Sequence, residues 1–239
     1  MKKTLCLLLT VFLAASCNHL QNRLSINDKQ NCVSWSNGTI QFSTDKESND
    51  QKNNLPAFEA YVKKQDGKTI HMPIDAYALG YGGSSPMGTL DFYKPQKLAK
   101  AETLAITNEK LVIHLSYEPW TIYDEEIILD KQITIFKDSP ILSVIDYYSG
   151  MFELLNIAAG MTTAYVGEIK KIENGFVVEY PYGITSVIVM PNAEEQLVND
   201  TFGTVLLKKP VINNEPLRYY VGLSDKGEEY LLEELNKIL

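Results

Sequence analysis

Apolar and polar positions alternate along much of this chain, most clearly between residues 110 and 148. Successive side chains of a strand point to opposite faces. The first run there therefore puts Leu111, Ile113, Leu115 and Tyr117 on one face and Val112, His114, Ser116 and Glu118 on the other. Two further β-patterned runs follow after short breaks, the second entered through the turn Asp138-Ser139-Pro140, whose proline fixes the turn geometry. Earlier in the chain, residues 32–35 and 39–42 flank Asn37-Gly38, a strong short-range hairpin signal. Strands are expected over 57–63, 89–93, 104–106, 167–173, 176–180, 185–190, 204–207 and 217–223, with a short edge at 69–73. The run 152–160 fits either a strand or a helix, and 75–88, rich in glycine and serine, reads as a broad loop. One helix is expected, over 226–239, with Tyr230, Leu231, Leu235 and Leu239 near one face and Glu228-Glu229 suiting its start. Many short strands separated by turns predict an all-β antiparallel β-sandwich with a C-terminal helix.

The first residues change the picture of where the fold begins. Met1-Lys2-Lys3 is basic, 4–13 is apolar, and Ala14-Ala15-Ser16-Cys17 follows. Basic, apolar, then small residues is the layout of a secretory signal, and the apolar run is too short to span a bilayer, which takes about 20 residues. The small residues ending in Cys17 resemble the lipobox of bacterial lipoproteins, in which cleavage precedes a cysteine that is then lipidated. The expected organisation is a signal peptide over 1–16, a lipidated tether over 17–30 and a single β-sandwich domain over 31–239. A plain signal peptide with a chance cysteine is the blander reading. Of the three cysteines, Cys6 leaves with the signal and Cys17 carries lipid. Cys32 then has no disulfide partner and reads as a small apolar strand residue.

The chain has 22 basic and 30 acidic residues, a net charge of −8 that becomes more negative once Lys2 and Lys3 are removed. That balance disfavours nucleic acid and anionic lipid as partners, so membrane association is expected only through the lipid anchor. No HExxH or CxxC occurs, and the domain holds only His71 and His114, so no zinc site and no cofactor is expected. The glycine-rich run 80–85 lacks the last glycine of a dinucleotide fingerprint and the Lys-Ser/Thr of a phosphate loop.

Acid–base groups remain. His114 and Glu118 share a strand face, and Asp146 shares one with Leu142, Val144 and Tyr148. These are the candidate catalytic residues, since paired carboxylates are what glycoside cleavage needs; the bland alternative is a solvated sheet face. Tyr77, Tyr81 and Trp120 are candidate sugar platforms, having a flat apolar face and a polar handle, with core packing open as the alternative for Trp120. Trp35 is assigned to the core.

The succession LGYGG (79–83), LVIHLSYEPW (111–120) and KQITIFKDSPILSVIDYY (131–148) resembles a family of exported bacterial lipoproteins, functionally uncharacterised, that accompany glycan-degrading enzymes. The resemblance spans about residues 56–223. It implies a galactose-mutarotase-like supersandwich that presents a face to a glycan or oligosaccharide; with the Cys17 anchor, the expected place is the cell envelope, facing the periplasm in preference to the cell surface. It leaves open an epimerase, lyase or glycoside hydrolase on one side and a non-catalytic binding or envelope interaction protein on the other. Members of that family are longer and carry Trp-rich segments toward the C-terminus, whereas here the helix follows residue 223 directly. The mutarotase pattern of two histidines and a glutamate has no diagnostic counterpart in the spacing of His71, His114 and Glu118.

Overall fold

The computed structural model describes residues 24–29, 32–46, 59–63, 69–82, 89–93, 95, 97–122, 125–162, 168–180, 183–199 and 204–239. The expected signal segment, Cys17 and residues 83–88 of the glycine-rich run lie outside them. The described strands are β1 (Ser25–Asp28), β2 (Cys32–Ser36), β3 (Ile40–Asp45), β4 (Glu59–Lys63), β5 (Thr69–Gly82), β6 (Thr89–Tyr93), β7 (Leu98–Ile106), β8 (Lys110–Tyr117) and β9 (Trp120–Ile122). They continue as β10 (Glu125–Phe136), β11 (Ile141–Gly150), β12 (Leu154–Thr162), β13 (Glu168–Ile172), β14 (Gly175–Tyr180), β15 (Ile184–Val189), β16 (Glu195–Asn199), β17 (Thr204–Ile212) and β18 (Pro216–Ser224). Helix α1 (Glu228–Asn236) closes the series.

All described pairings are antiparallel and form two sheets. The first runs β1-β2-β3-β4-β5-β12-β17-β16, with β6 also on β5. The second runs β13-β14-β15-β18-β11-β10-β8-β7, with β9 also on β10. The fold is thus an all-β antiparallel sandwich with one C-terminal helix. Its main core joins Trp35, Ile40, Ile157 and Leu207 of the first sheet to Leu111, Ile113, Ile133, Val144 and Tyr219 of the second. The alternation of β8 is kept: Leu111, Ile113, Leu115 and Tyr117 are buried while Val112, His114 and Ser116 are half-buried.

Several expectations are corrected. Residues 75–82 are not loop; they continue β5, which pairs with β4, β12 and β6 along its length. Residues 25–28, placed in the tether, form β1 on the edge of the first sheet. The short strand expected at 104–106 is the end of a longer edge strand, β7, whose register shifts twice against β8. Such bulges bend an edge and blunt it against further pairing. The ambiguous run 152–160 falls in β12, because Leu155, Ile157, Ala159 and Met161 face the core at a period of two.

Helix α1 covers the outer face of the second sheet, where Leu231 and Leu235 pack on Ile141, Val177, Val187, Val189 and Tyr220. Leu239, expected on the same apolar face, is 61 % exposed. Gly222 lets the helix lie close: a Cβ there would collide with Ile141 and crowd Val187 and Leu231. Lys170 of β13 forms an ion pair with Glu228 in the first helical turn.

The tip of the β2–β3 hairpin also reaches across to the second sheet. Asn37 is fully buried; its Nδ2 donates to the carbonyls of Phe136 and Ser139 and its Oδ1 accepts from the amides of Thr39 and Ile40. Gly38 adopts φ 86°, the left-handed conformation such a turn requires.

Candidate functional site

The polar face foreseen on β8 is real, and it belongs to the outer face of the second sheet. Residues directly opposite one another in an antiparallel pair share a face. One row of such partners runs Lys100, Ser116, Asp130, Tyr147 across β7, β8, β10 and β11. The next runs Glu102, His114, Gln132, Ile145 and on to Arg218 of β18. Tyr147 is 37 % exposed, enough to offer part of its ring to a ligand. Ile128, also 37 % exposed, lies two residues from Asp130 on the same face.

His114 is the junction of the two rows. Its Nδ1 lies 3.4 Å from Glu102 Oε1 and its Nε2 3.1 Å from Asp130 Oδ1. A neutral ring donates through only one nitrogen, so the doubly protonated form alone satisfies both carboxylates as donors. Ser116 Oγ donates to Asp130 Oδ1 at 2.6 Å. Lys100 pairs with Glu102, and this hydrogen bond, followed by that of His114, holds the Glu102 carboxyl below the usual carboxylate range.

The three catalytic candidates do not converge. His114 lies on the outer face of the second sheet. Asp146 lies on its inner face, completely buried, because the β11 segment 141–146 is covered on both sides. Glu118 follows the end of β8, half-exposed, and pairs with Lys97 at 2.7 Å. A sheet therefore separates the histidine from Asp146, so the three candidates do not share one cleft.

Asp146 instead meets Lys131, its direct partner on β10. Lys131 Nζ is 2.8 Å from Oδ1 and 3.0 Å from Oδ2. Tyr219 of β18 lies 3.0 Å from the same nitrogen.

The sugar platforms divide in the same way. Trp120 of β9 is 9 % exposed and belongs to the main core, which settles its open alternative on the side of packing. Its indole Nε1–H is buried without a hydrogen-bond partner among the described residues. Trp35 is likewise buried in the core. Tyr77 and Tyr81 lie in β5 rather than a loop, in register with Ala158 and Leu90.

Gln132, Asp130, Glu102, Tyr147 and Arg218 were missed. A signal for two of them was present: alternation through 125–136 places Asp130 and Gln132 on one polar face. In β11, Asp146 faces the interior and its neighbour Tyr147 the outer face. Away from these rows, an open depression of about 360 Å³ is lined by Tyr180, Gly183, Thr185, Asp225 and Lys226 beside the start of α1. Burial pushes the Tyr180 phenol well above its usual range. Among the described residues no cluster of three or more His, Cys, Asp or Glu could hold a metal. None of the described helices is long and apolar enough to cross a membrane.

No protein family and no curated protein matches this sequence. Among solved structures, the chain is similar to an active YidC insertase with its first transmembrane domain resolved, at TM-score 0.50 and 12 % identity, covering 98 % of this chain and 47 % of that one. It is also similar to YidC from Thermotoga maritima, at TM-score 0.44 and 13 % identity over 90 % of this chain and 57 % of that one. A third likeness is to a putative kojibiose phosphorylase from the human microbiome, at TM-score 0.42 and 8 % identity over 90 % of this chain and 35 % of that one. At these identities the likeness concerns the fold, and the chain spans from about a third to just over half of the length of the structures it matches.

Proposed function

We propose that this chain is a non-catalytic, carbohydrate-binding β-sandwich, tethered to a bacterial membrane through Cys17 and facing the periplasm. One observation carries the binding face: Tyr147 stands directly opposite Asp130 on the outer sheet face, with Gln132 and Arg218 in the adjoining row. An aromatic ring beside a carboxylate, an amide and a guanidinium supports stacking on a sugar ring and hydrogen bonds to its hydroxyls. The face is open, which suits an extended glycan chain. Catalysis is not part of the reading, because the carboxylates nearest His114 are held in pairs on an open sheet and Asp146 is sealed beneath it.

A panel of oligosaccharides screened against the parent chain and Tyr147→Ala tests the reading. Binding that weakens at least tenfold in the variant is the expected result. A parent chain that retains no glycan, or a variant that binds as well as the parent, would sink it.

A second reading, an envelope interaction protein, is favoured by one other feature. Met151 is 92 % exposed at the β11–β12 crossover, and Leu154 and Ile212, 58 % and 55 % exposed, are direct partners beside it. Single exposed apolar residues are ordinary, but a contiguous set at one end marks a docking surface. An envelope protein retained by the parent and released by Met151→Asp, with no glycan bound, would decide for this reading.

A further inference from the structure

Lys131 and Asp146 are 1 % and 0 % exposed, and no step of glycan binding uses them. They are direct partners on adjacent strands near the centre of the second sheet. The lysine nitrogen sits against both carboxylate oxygens, at 2.8 and 3.0 Å. On the same face, Leu129 and Ile133 flank Lys131 and Val144 flanks Asp146 along their strands, while Leu115 and Leu217 stand directly opposite the pair; all five are apolar and buried. Tyr219 OH is 3.0 Å from the lysine nitrogen and 3.4 Å from Asp146 Oδ2, so one hydroxyl touches both groups.

From this geometry we propose that Lys131 and Asp146 condense into an intramolecular isopeptide bond. In water such a pair stays ionic and unreactive. Away from water, charge separation is costly, and moving one proton from the ammonium to the carboxylate gives a neutral pair. The amine is then a nucleophile and the carboxylic acid an electrophile, held in contact by the fold, as an intramolecular reaction requires. Nζ attacks Cγ of Asp146 with its lone pair. Tyr219 OH passes a proton from the nitrogen to the departing hydroxyl, which leaves as water. The balance is one ammonium and one carboxylate in, one amide and one water out, with no oxidant or activating group. The product removes two buried charges and leaves an amide beside the tyrosine hydroxyl, which can accept from it or donate to it. The dry surroundings oppose the reverse hydrolysis. The proposal does not depend on the carbohydrate reading.

Intact-mass measurement of the full chain under denaturing conditions tests it, with Lys131→Arg and Asp146→Ala as references. The parent is expected to be lighter than its sequence by one water, and both variants to show their full mass whether or not they fold. Proteolysis should yield a branched peptide joining residue 131 to residue 146. A parent at full mass overturns the bond, as does a water deficit carried by a linear peptide, the mark of a cyclic imide at Asp146. Tyr219→Phe is expected to slow bond formation at least tenfold; unchanged formation would overturn the role given to the tyrosine.

Discussion

Asn37 Nδ2 donates to the carbonyl of Phe136 at 2.6 Å, joining residues 99 positions apart. The same nitrogen donates to the Ser139 carbonyl at 2.8 Å. A hairpin tip of one sheet is thus buttoned into the β10–β11 turn of the other. Without the Asn37 amide the buried Ser139 carbonyl loses its donor and the Phe136 carbonyl keeps only the Ser139 amide at 3.4 Å; a buried carbonyl left without a donor costs about 1–3 kcal/mol. Asn37→Ala is expected to destabilise the chain by about 2–4 kcal/mol in denaturant unfolding. Asn37→Asp keeps the acceptor toward Thr39 and Ile40 but loses both donors, and should be at least as damaging. A change under about 0.5 kcal/mol, typical of surface sites, would show that the button is not holding.

Trp120 offers the opposite test. Its indole N–H is buried without a partner among the described residues, so Trp120→Phe removes a desolvated donor along with some packing. The two effects oppose one another, and the net change should lie within about 1.5 kcal/mol. Trp120→Ala, which empties the site, should cost about 3–5 kcal/mol. Thermal unfolding of both variants separates these values; a loss from Trp120→Phe as large as that from Trp120→Ala would show that the N–H carries no penalty. Glycan binding should be unchanged in Trp120→Phe.

The seat of α1 is equally sharp. Leu231→Ala should cost about 2–4 kcal/mol, since its side chain is fully buried against the outer face of the second sheet. Gly222→Ala pushes into Ile141, Val187 and Leu231, and overpacking of this kind costs about 1–3 kcal/mol. Hydrogen exchange should quicken first in 228–236 for both variants; exchange that quickens only in the main core would contradict the placement.

Two exposed ion pairs set pH dependence at opposite ends of the scale. Glu102, held low first by Lys100 and then by His114, contributes stability that is present above the ordinary carboxylate range and lost as pH falls through its lowered value. Lys170 is raised, chiefly by its hydrogen bond to Glu228. Its contribution is present below the ordinary lysine range and disappears as pH climbs through the raised value. Glu102→Gln should flatten the acid limb of a melting-temperature profile and Glu228→Gln the alkaline limb. Both effects are small, as exposed pairs are. Parallel profiles for parent and variant at the relevant limb would count against the assignment.

Where one face of a strand is wet, its pattern was legible. Leu111, Ile113 and Leu115 announced β8, Asn37-Gly38 a hairpin, and Glu228-Glu229 the start of α1. Legibility failed where strands are covered on both sides. In β11, Leu142, Val144, Asp146 and Tyr148 face the sandwich interior while Ile141 faces the helix and Ser143 and Ile145 are also buried. Polarity there no longer reports direction, and a buried ion pair made Asp146 look like a surface acid. Residues 75–82 failed for another reason: glycine and serine near their end signal turns, yet pairing with β12 up to Ala78 and with β6 from Ala78 onward holds β5 extended. The joining of His114 to Glu102 and Asp130 needed cross-strand register, which the bulges of β7 hide from any count along the chain.

The strand order carries a consequence for the order of events during synthesis. β18, the last described strand in chain order, lies between β15 and β11 in the middle of the second sheet. Until it emerges, both neighbours present open, apolar edges, and β10–β11 and β14–β15 wait as separate halves. The second sheet cannot close until residues 216–224 have been made. Closure of the sheet is therefore expected to be slow, as pairings distant in sequence are, and the waiting edges invite misassociation. A nascent chain arrested before residue 216 should be held by a chaperone or aggregate, whereas one arrested well past 224 should become resistant to protease.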